Sequence, residues 1–135
     1  MKTGRLFQHQ MFDFDGLNGQ KITRLVAVYE DEFSDNVVMV YLKTENQPWH
    51  SFFLEPGYGA WENWQEFDLE EDDGYFYSDK TDDFRLKNAV IERIFCTLDE
   101  NENSRISIQC TDNKIITLKT VGEKDILQIS TLAEF

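Results

Sequence analysis

Gly59-Ala60-Trp61-Glu62-Asn63-Trp64-Gln65-Glu66-Phe67-Asp68-Leu69 is the stretch whose reading decides the fold. Trp61, Trp64 and Phe67 recur every third residue, which is helical spacing. Glu62 and Glu66 fall four apart on the opposite side, and like charges at that spacing cost a few tenths of a kcal/mol. A helix this short does not hold on propensity alone, so its rings must be buried against a sheet. The stretch is therefore expected to form one short helix over residues 60–69, stopped by Glu70-Glu71-Asp72-Asp73-Gly74.

On either side of it the pattern is β. Asn18-Gly19 signals a turn. Leu25-Val26-Ala27-Val28-Tyr29 and Val37-Val38-Met39-Val40-Tyr41-Leu42 are short, apolar and rich in β-branched residues, and the polar tip Glu30-Asp31-Glu32-Phe33-Ser34-Asp35-Asn36 separates them. They read as an antiparallel pair that is apolar on both faces and covered on both sides. Residues 49–54 are a third strand, ended by Pro56-Gly57. Further on, residues 89–98, Ile106 to Cys110, 115–121 and 126–130 read as a meander of about four strands, with turns at 99–103, 111–114 and 122–125. Register restricts the second of these turns. An odd loop, Asp112-Asn113-Lys114, sets Ile108 opposite Leu118 and keeps both apolar sets on one face, whereas an even loop does not. The expected fold is one domain over residues 1–135. Its class is α+β, mainly antiparallel β: a curved sheet or partial barrel covered by the 60–69 helix.

The charge of the chain is concentrated in one place. Its formal net charge is −13. Residues 44–79 hold ten acidic residues, ten aromatic ones and no lysine or arginine, while residues 1–43 and 80–135 are nearly balanced at −1 and −2. Such a field disfavours nucleic acid and anionic membrane, because phosphate contacts need cations. It favours steering towards a basic protein. The simpler reading, that acidity keeps the chain soluble, stands beside it. No apolar run is long enough to span a bilayer, and Met1-Lys2-Thr3-Gly4-Arg5 is not followed by an apolar stretch, so a cytoplasmic location is expected. Cys96 and Cys110 have neither close spacing nor a histidine neighbour, which argues for buried reduced thiols and against zinc.

Short motifs for chemistry are weak. Phe12-Asp13-Phe14-Asp15-Gly16-Leu17 resembles the nucleophile motif of haloacid dehalogenase-like phosphatases over six residues. That likeness implies Asp13 as nucleophile and Asp15 as acid/base. The apolar strand before the motif and the threonine after its glycine are absent, so an acidic turn is the better reading. Gly57-Tyr58-Gly59 lacks the third glycine of a dinucleotide fingerprint. Asp99-Glu100-Asn101-Glu102-Asn103 begins like a calcium loop, but Arg105 and Cys110 stand at ligand positions, which leaves a solvated hairpin tip. The acids of residues 70–83 lack the calcium-loop pattern and read as mutually repelling charges in a loop. His9 and His50 are the only histidines and neither accompanies a nucleophile motif, so no catalytic residue, metal or cofactor is assigned.

What remains is a binding surface. The candidate partner-binding residues are Tyr58, Trp61, Glu62, Glu66, Glu70, Glu71, Asp72, Asp73, Tyr75 and Tyr77. Aromatic anchors within an acidic rim suit a basic partner. The rings divide between two jobs. Phe52, Trp61, Trp64 and Phe67 lean towards the core, and Tyr58, Tyr75 and Tyr77 are the better contact candidates. With its size, β-rich core and the acidic aromatic run Trp61-Glu62-Asn63-Trp64-Gln65-Glu66, the chain resembles two kinds of protein in style. One is the small acidic immunity proteins of bacterial polymorphic toxin systems, and the other is the uncharacterised bacterial families of that size. No family signature is matched, so the resemblance assigns no residues. It implies steric and electrostatic blocking of a basic toxin. The reading from another class is a sugar- or small-molecule-binding domain, which requires a pocket lined by these rings.

Overall fold

In the computed structural model, which describes residues 4–9, 11–47, 49–55, 58–64 and 74–131, the deciding stretch is a strand. β6 runs Tyr58–Trp64 and pairs on both sides, with β5 (His50–Glu55) and with β1 (Gly4–His9). The expected helix is thus overturned over residues 60–64; its remainder, 65–69, lies outside the described residues. No helix occurs among the described residues, and the fold is all-β rather than α+β. In a strand, side chains three apart point to opposite faces. The backbone over residues 61–64 is extended, so the three-residue spacing does not mark a helical stripe. Aromatic residues fit a pleated surface as well as a helix, and pairing on two sides settles the matter.

Among the described residues, eleven antiparallel strands form two sheets. The larger has the order β1-β6-β5-β4-β3-β7 and the smaller β11-β10-β9-β8-β2. The remaining strands are β2 (Phe12–Phe14), β3 (Ile22–Tyr29), β4 (Val37–Thr44), β7 (Phe76–Asp79), β8 (Ile91–Leu98), β9 (Ser104–Cys110), β10 (Lys114–Val121) and β11 (Lys124–Thr131). The expected β3–β4 pair and the C-terminal meander β8 to β11 are both present. The single curved sheet or partial barrel is replaced by two sheets that share one core. Three short strands are added at edges away from their chain neighbours: β7 beside β3, β2 beside β8 and β1 beside β6.

Alternation explains the core. Ile94, Ile108, Ile116 and Ile129 face one another across the smaller sheet, as do Cys96, Ile106, Leu118 and Leu127. These rows pack on Val40, Phe52 and Trp61 of the larger sheet, and Leu17 and Leu86 close the core from turns. Val26 and Val28 lie on the opposite pleat from Leu25 and Ala27, yet all four are buried, so β3 is covered on both faces as its apolar run implied. Gly59 lets the sheets approach: a Cβ there would lie 2.8 Å from Cys96 Sγ and 3.1 Å from two Ile106 side-chain carbons.

The β9–β10 register needs a correction. Ile108 pairs with Ile116 and Ile106 with Leu118, two residues away from the expected pairing although the parity holds. The loop is Thr111-Asp112-Asn113, one residue earlier than expected. A three-residue hairpin needs its last residue in the left-handed region, and Asn113 takes φ 69 there. A 112–114 loop would have put Lys114 in that conformation, which asparagine tolerates better.

Candidate binding surface

The ten candidate residues do not come together as one patch. Trp61 is removed from it as a correction, because its ring is fully buried. It stacks on Phe52 at 4.8 Å between centroids and 7° between planes, and it packs against Phe14 at 5.0 Å. Its indole N–H donates to His50 Nδ1 at 2.9 Å. Tyr58 and Glu62 are backbone positions of β6, Tyr58 opposite Glu55 and Glu62 between Ser51 and Leu6. Glu66, Glu70, Glu71, Asp72 and Asp73 lie outside the described residues. Tyr77 is half-buried on β7 opposite Val28. Tyr75 is about half exposed just before β7.

Tyr75 stands at an end of the molecule with a marked composition. Phe76 pairs with Tyr29, their ring centroids 6.3 Å apart, so Tyr75 and Phe76 adjoin the point where the chain leaves β3 for the tip at residues 30–36. Phe33 on that tip is 92% exposed, far above any other large apolar side chain described. The turn between β10 and β11 is tied to the same tip. Lys124 Nζ donates to both oxygens of Asp35 at 2.8 and 2.9 Å, and the Asp125 amide donates to Asn36 Oδ1 at 2.9 Å. Val121, half exposed, flanks that turn. Among the described residues, four of the five exposed large apolar side chains therefore gather here: Phe33, Tyr75, Phe76 and Val121.

The tip is held by its own short-range bonds. The Phe33 amide donates to Asp31 Oδ1 at 2.8 Å, and the Ser34 amide to the Asp31 carbonyl at 3.2 Å. The Asn36 amide donates to Ser34 Oγ at 3.0 Å, and the Glu30 amide to the Asn36 carbonyl at 3.1 Å. Aspartate, serine and asparagine make such side-chain-to-backbone turns because their short polar side chains reach the next amides. The Lys124 hydrogen bond holds the Asp35 carboxyl below the usual carboxylate range. Glu30, Asp31 and Glu32 make no ion pair among the described residues. A cation flanks the region, since Lys80 Nζ sits 5.3 Å from the Tyr29 ring centroid.

Sequence reading missed Phe33. The signal was present: one phenylalanine inside an otherwise polar run between two strands, with no core-facing period to account for it. Phe76 is one of the ten rings of residues 44–79, between the candidates Tyr75 and Tyr77, but nothing set it apart from the other rings there; Val121 gave no signal, because it reads as an ordinary strand residue.

The groups considered for chemistry are placed elsewhere. Asp13 lies on β2, where the acidic turn was expected to begin, and Arg93 Nε bonds it at 2.9 Å; the turn itself starts at Asp15, whose carbonyl accepts from the Asn18 amide. His50 is buried, and burial drives its pKa down from 6.5 to about 4. Because Nδ1 accepts the indole proton, the neutral ring carries its own proton on Nε2, and this nitrogen is buried without a hydrogen-bond partner. Burial also raises both thiols, Cys110 to about 12. Asp99 Oδ1 accepts from the amides of Asn101 and Asn103, so this would-be ligand is used in closing the hairpin tip. At the 70–83 acids, Asp82 and Asp83 are exposed. Burial alone would raise the Asp79 carboxyl, but bonds from Thr81 and Arg24 outweigh it and hold the carboxyl low. No three acidic, histidine or cysteine side chains among the described residues come together to hold a metal ion. A depression of about 290 Å³ lies by β2 and β8, lined by Met11, Phe12, Asp13, Arg93, Phe95, Cys96 and Thr97. None of the rings from residues 44–79 lines it. No helix among the described residues is long and apolar enough to cross a membrane.

The chain matches no protein-family model, no curated protein and no solved structure.

Proposed function

We propose that the protein is a non-enzymatic binding module for a basic protein partner. The observation that carries this reading is the pairing of exposed rings with uncompensated acids at one end of the larger sheet. Tyr75 and Phe76 are exposed there beside Glu30, Asp31 and Glu32. Exposed apolar side chains grouped in one place are uncommon on a monomer's surface and mark interaction sites. Carboxylates that form no ion pair among the described residues choose the sign of the partner, and a net charge of −13 adds long-range attraction. A toxin-neutralising role fits the same surface, with a basic toxin as the partner.

The test is surface binding to a panel of synthetic basic, neutral and acidic peptides at about 50 mM and about 500 mM salt. Preference for the basic members that fades with salt is expected. Equal retention of all three classes, or capture indifferent to salt, overturns the reading. For the toxin-neutralising form, the chain is co-expressed with a basic toxin encoded beside its gene. Restored growth through a complex stable enough to co-purify is expected, and growth arrest with no complex removes that form.

A further inference from the structure

We propose that Phe33 is the anchor of this surface, and that it seats on the apolar face of a cationic amphipathic helix presented by the partner. This rests on the basic-partner reading and goes beyond it by naming the residue and the shape of what binds. A phenylalanine that is 92% exposed gains nothing for the fold from its ring. Its backbone is nevertheless fixed: the Asp31 carboxylate holds its amide, Asn36 closes the tip onto Glu30, and Lys124 and Asp125 tie the tip to the β10–β11 turn. A ring displayed on a fixed backbone binds without a large ordering cost, which is how interface anchors are built.

The surroundings select the occupant. Phe33, Tyr75, Phe76 and Val121 come from three separate chain segments at one end of the molecule. An extended peptide could add to the free edge of β7, but it would leave uncovered Phe33, on the tip between β3 and β4, and Val121, at the end of β10. Side-chain contact with an apolar stripe is the mode that fits. Glu30, Asp31, Glu32 and Glu123 rim the patch and would meet lysines or arginines flanking that stripe. Lys124 is already committed to Asp35, so it does not cancel the rim.

The experiment uses the full chain and four synthetic peptides, with binding read by fluorescence anisotropy. They are a helical leucine–lysine peptide, a strand-forming valine–lysine peptide, a lysine-only peptide of equal charge and a neutral leucine–serine peptide. The leucine–lysine peptide is expected to bind tightest. Phe33→Ser should weaken it roughly tenfold while leaving the lysine-only peptide unchanged. Met11→Ser, which removes another exposed apolar side chain at β2, should change neither. Unfolding midpoints of both variants should match the parent, because both side chains are largely in solvent. Three results overturn the inference. They are leucine–lysine affinity within twofold of the parent in Phe33→Ser, an equal weakening by Met11→Ser, and tightest binding of the valine–lysine peptide with no dependence on Phe33. In each case the basic-partner reading survives if cationic peptides still outbind the neutral one. If they do not, that reading fails as well.

Discussion

Lowering the pH through the range between about 6.5 and about 4 removes stability through one side chain, His50. The ring is buried, its Nδ1 is occupied by the Trp61 indole proton, and its Nε2 faces no acceptor. A second proton would go onto Nδ1, displacing the indole bond and placing a charge in the core, so burial drives the pKa from 6.5 to about 4. The unfolded chain binds the proton more readily than the folded one throughout that window. Stability is therefore complete above the unfolded pKa, falls as pH drops through the window, and levels off below about 4. The linkage integral gives a loss of about 2 kcal/mol at about pH 5 and about 3 kcal/mol for the whole window.

The perturbation that isolates this term is His50→Asn. The asparagine Oδ1 stands near the place of Nδ1 and keeps an acceptor for the indole, and it does not titrate. Urea unfolding of both proteins at about pH 7.5 and about pH 5 is the assay. The variant is expected to start lower, because part of the ring volume is lost. Between the two pH values, the parent should lose about 2 kcal/mol more than the variant. Other titrations cancel in the difference, including Asp35 and Asp79, which are held low, and Asp125, which burial raises. Equal losses in the two proteins would refute the argument. So would a His50 ring signal that titrates near 6.5 in the folded protein by NMR.

Other substitutions probe the same framework. Gly59→Ala places a Cβ 2.8 Å from Cys96 Sγ, and chemical denaturation should show a loss of about 1–3 kcal/mol. Thr81→Val removes the hydroxyl that accepts from the buried Leu25 amide at 2.9 Å and donates to Asp79 at 2.5 Å. A loss of about 1–3 kcal/mol is expected, which Thr81→Ser should largely restore. Asn113→Val forces a β-branched residue to φ 69 and should cost about 1–2 kcal/mol, whereas Asn113→Gly should be close to neutral in the same assay.

The sequence made some of this legible because local pattern and tertiary demand agree there. β3 and β4 hold continuous apolar runs rich in β-branched residues around a polar tip, and the meander from β8 to β11 alternates with turn residues between strands. Residues 60–64 were not legible, because rings three apart fit one face of a helix and both faces of a strand. The deciding facts are distant in sequence: pairing with residues 4–9, and the closeness of Gly59 to Cys96. The division into two sheets was hidden for the same reason, since β1, β2 and β7 join edges far along the chain. At the surface, composition drew attention to residues 44–79 as a block. The fold breaks that block up, sending Trp61 inward and leaving Tyr75 and Phe76 beside a tip from residues 30–36 that composition did not single out.

The fold also sorts charge of the opposite sign. On the outer face of the smaller sheet, Thr97, Arg105, Lys119 and Ile126 form one cross-strand row, and Arg93, Gln109, Ile115 and Ser130 form another. Asp13, Phe95, Ser107, Thr117 and Gln128 lie in the row between them. Arg93, Arg105, Lys119 and Lys124, four of the chain's thirteen cations, thus share this face with Asp13; Asp13 is bonded to Arg93 and Lys124 to Asp35. Acids are left uncompensated at the Phe33 tip, while cations concentrate on a sheet face. Such a molecule has direction in its field as well as net charge. Attraction to a basic surface acts mainly within about 10 Å at ordinary salt, so the last stage of approach is governed by which end leads. Lys119 stands one cross-strand row from Val121 and Lys124 on that face, so the Phe33 end would lead with its Glu30, Asp31 and Glu32 side, the Arg105 and Lys119 side turned from the basic surface. Charge would then set the orientation and speed of encounter, and the rings would set how long the complex lasts.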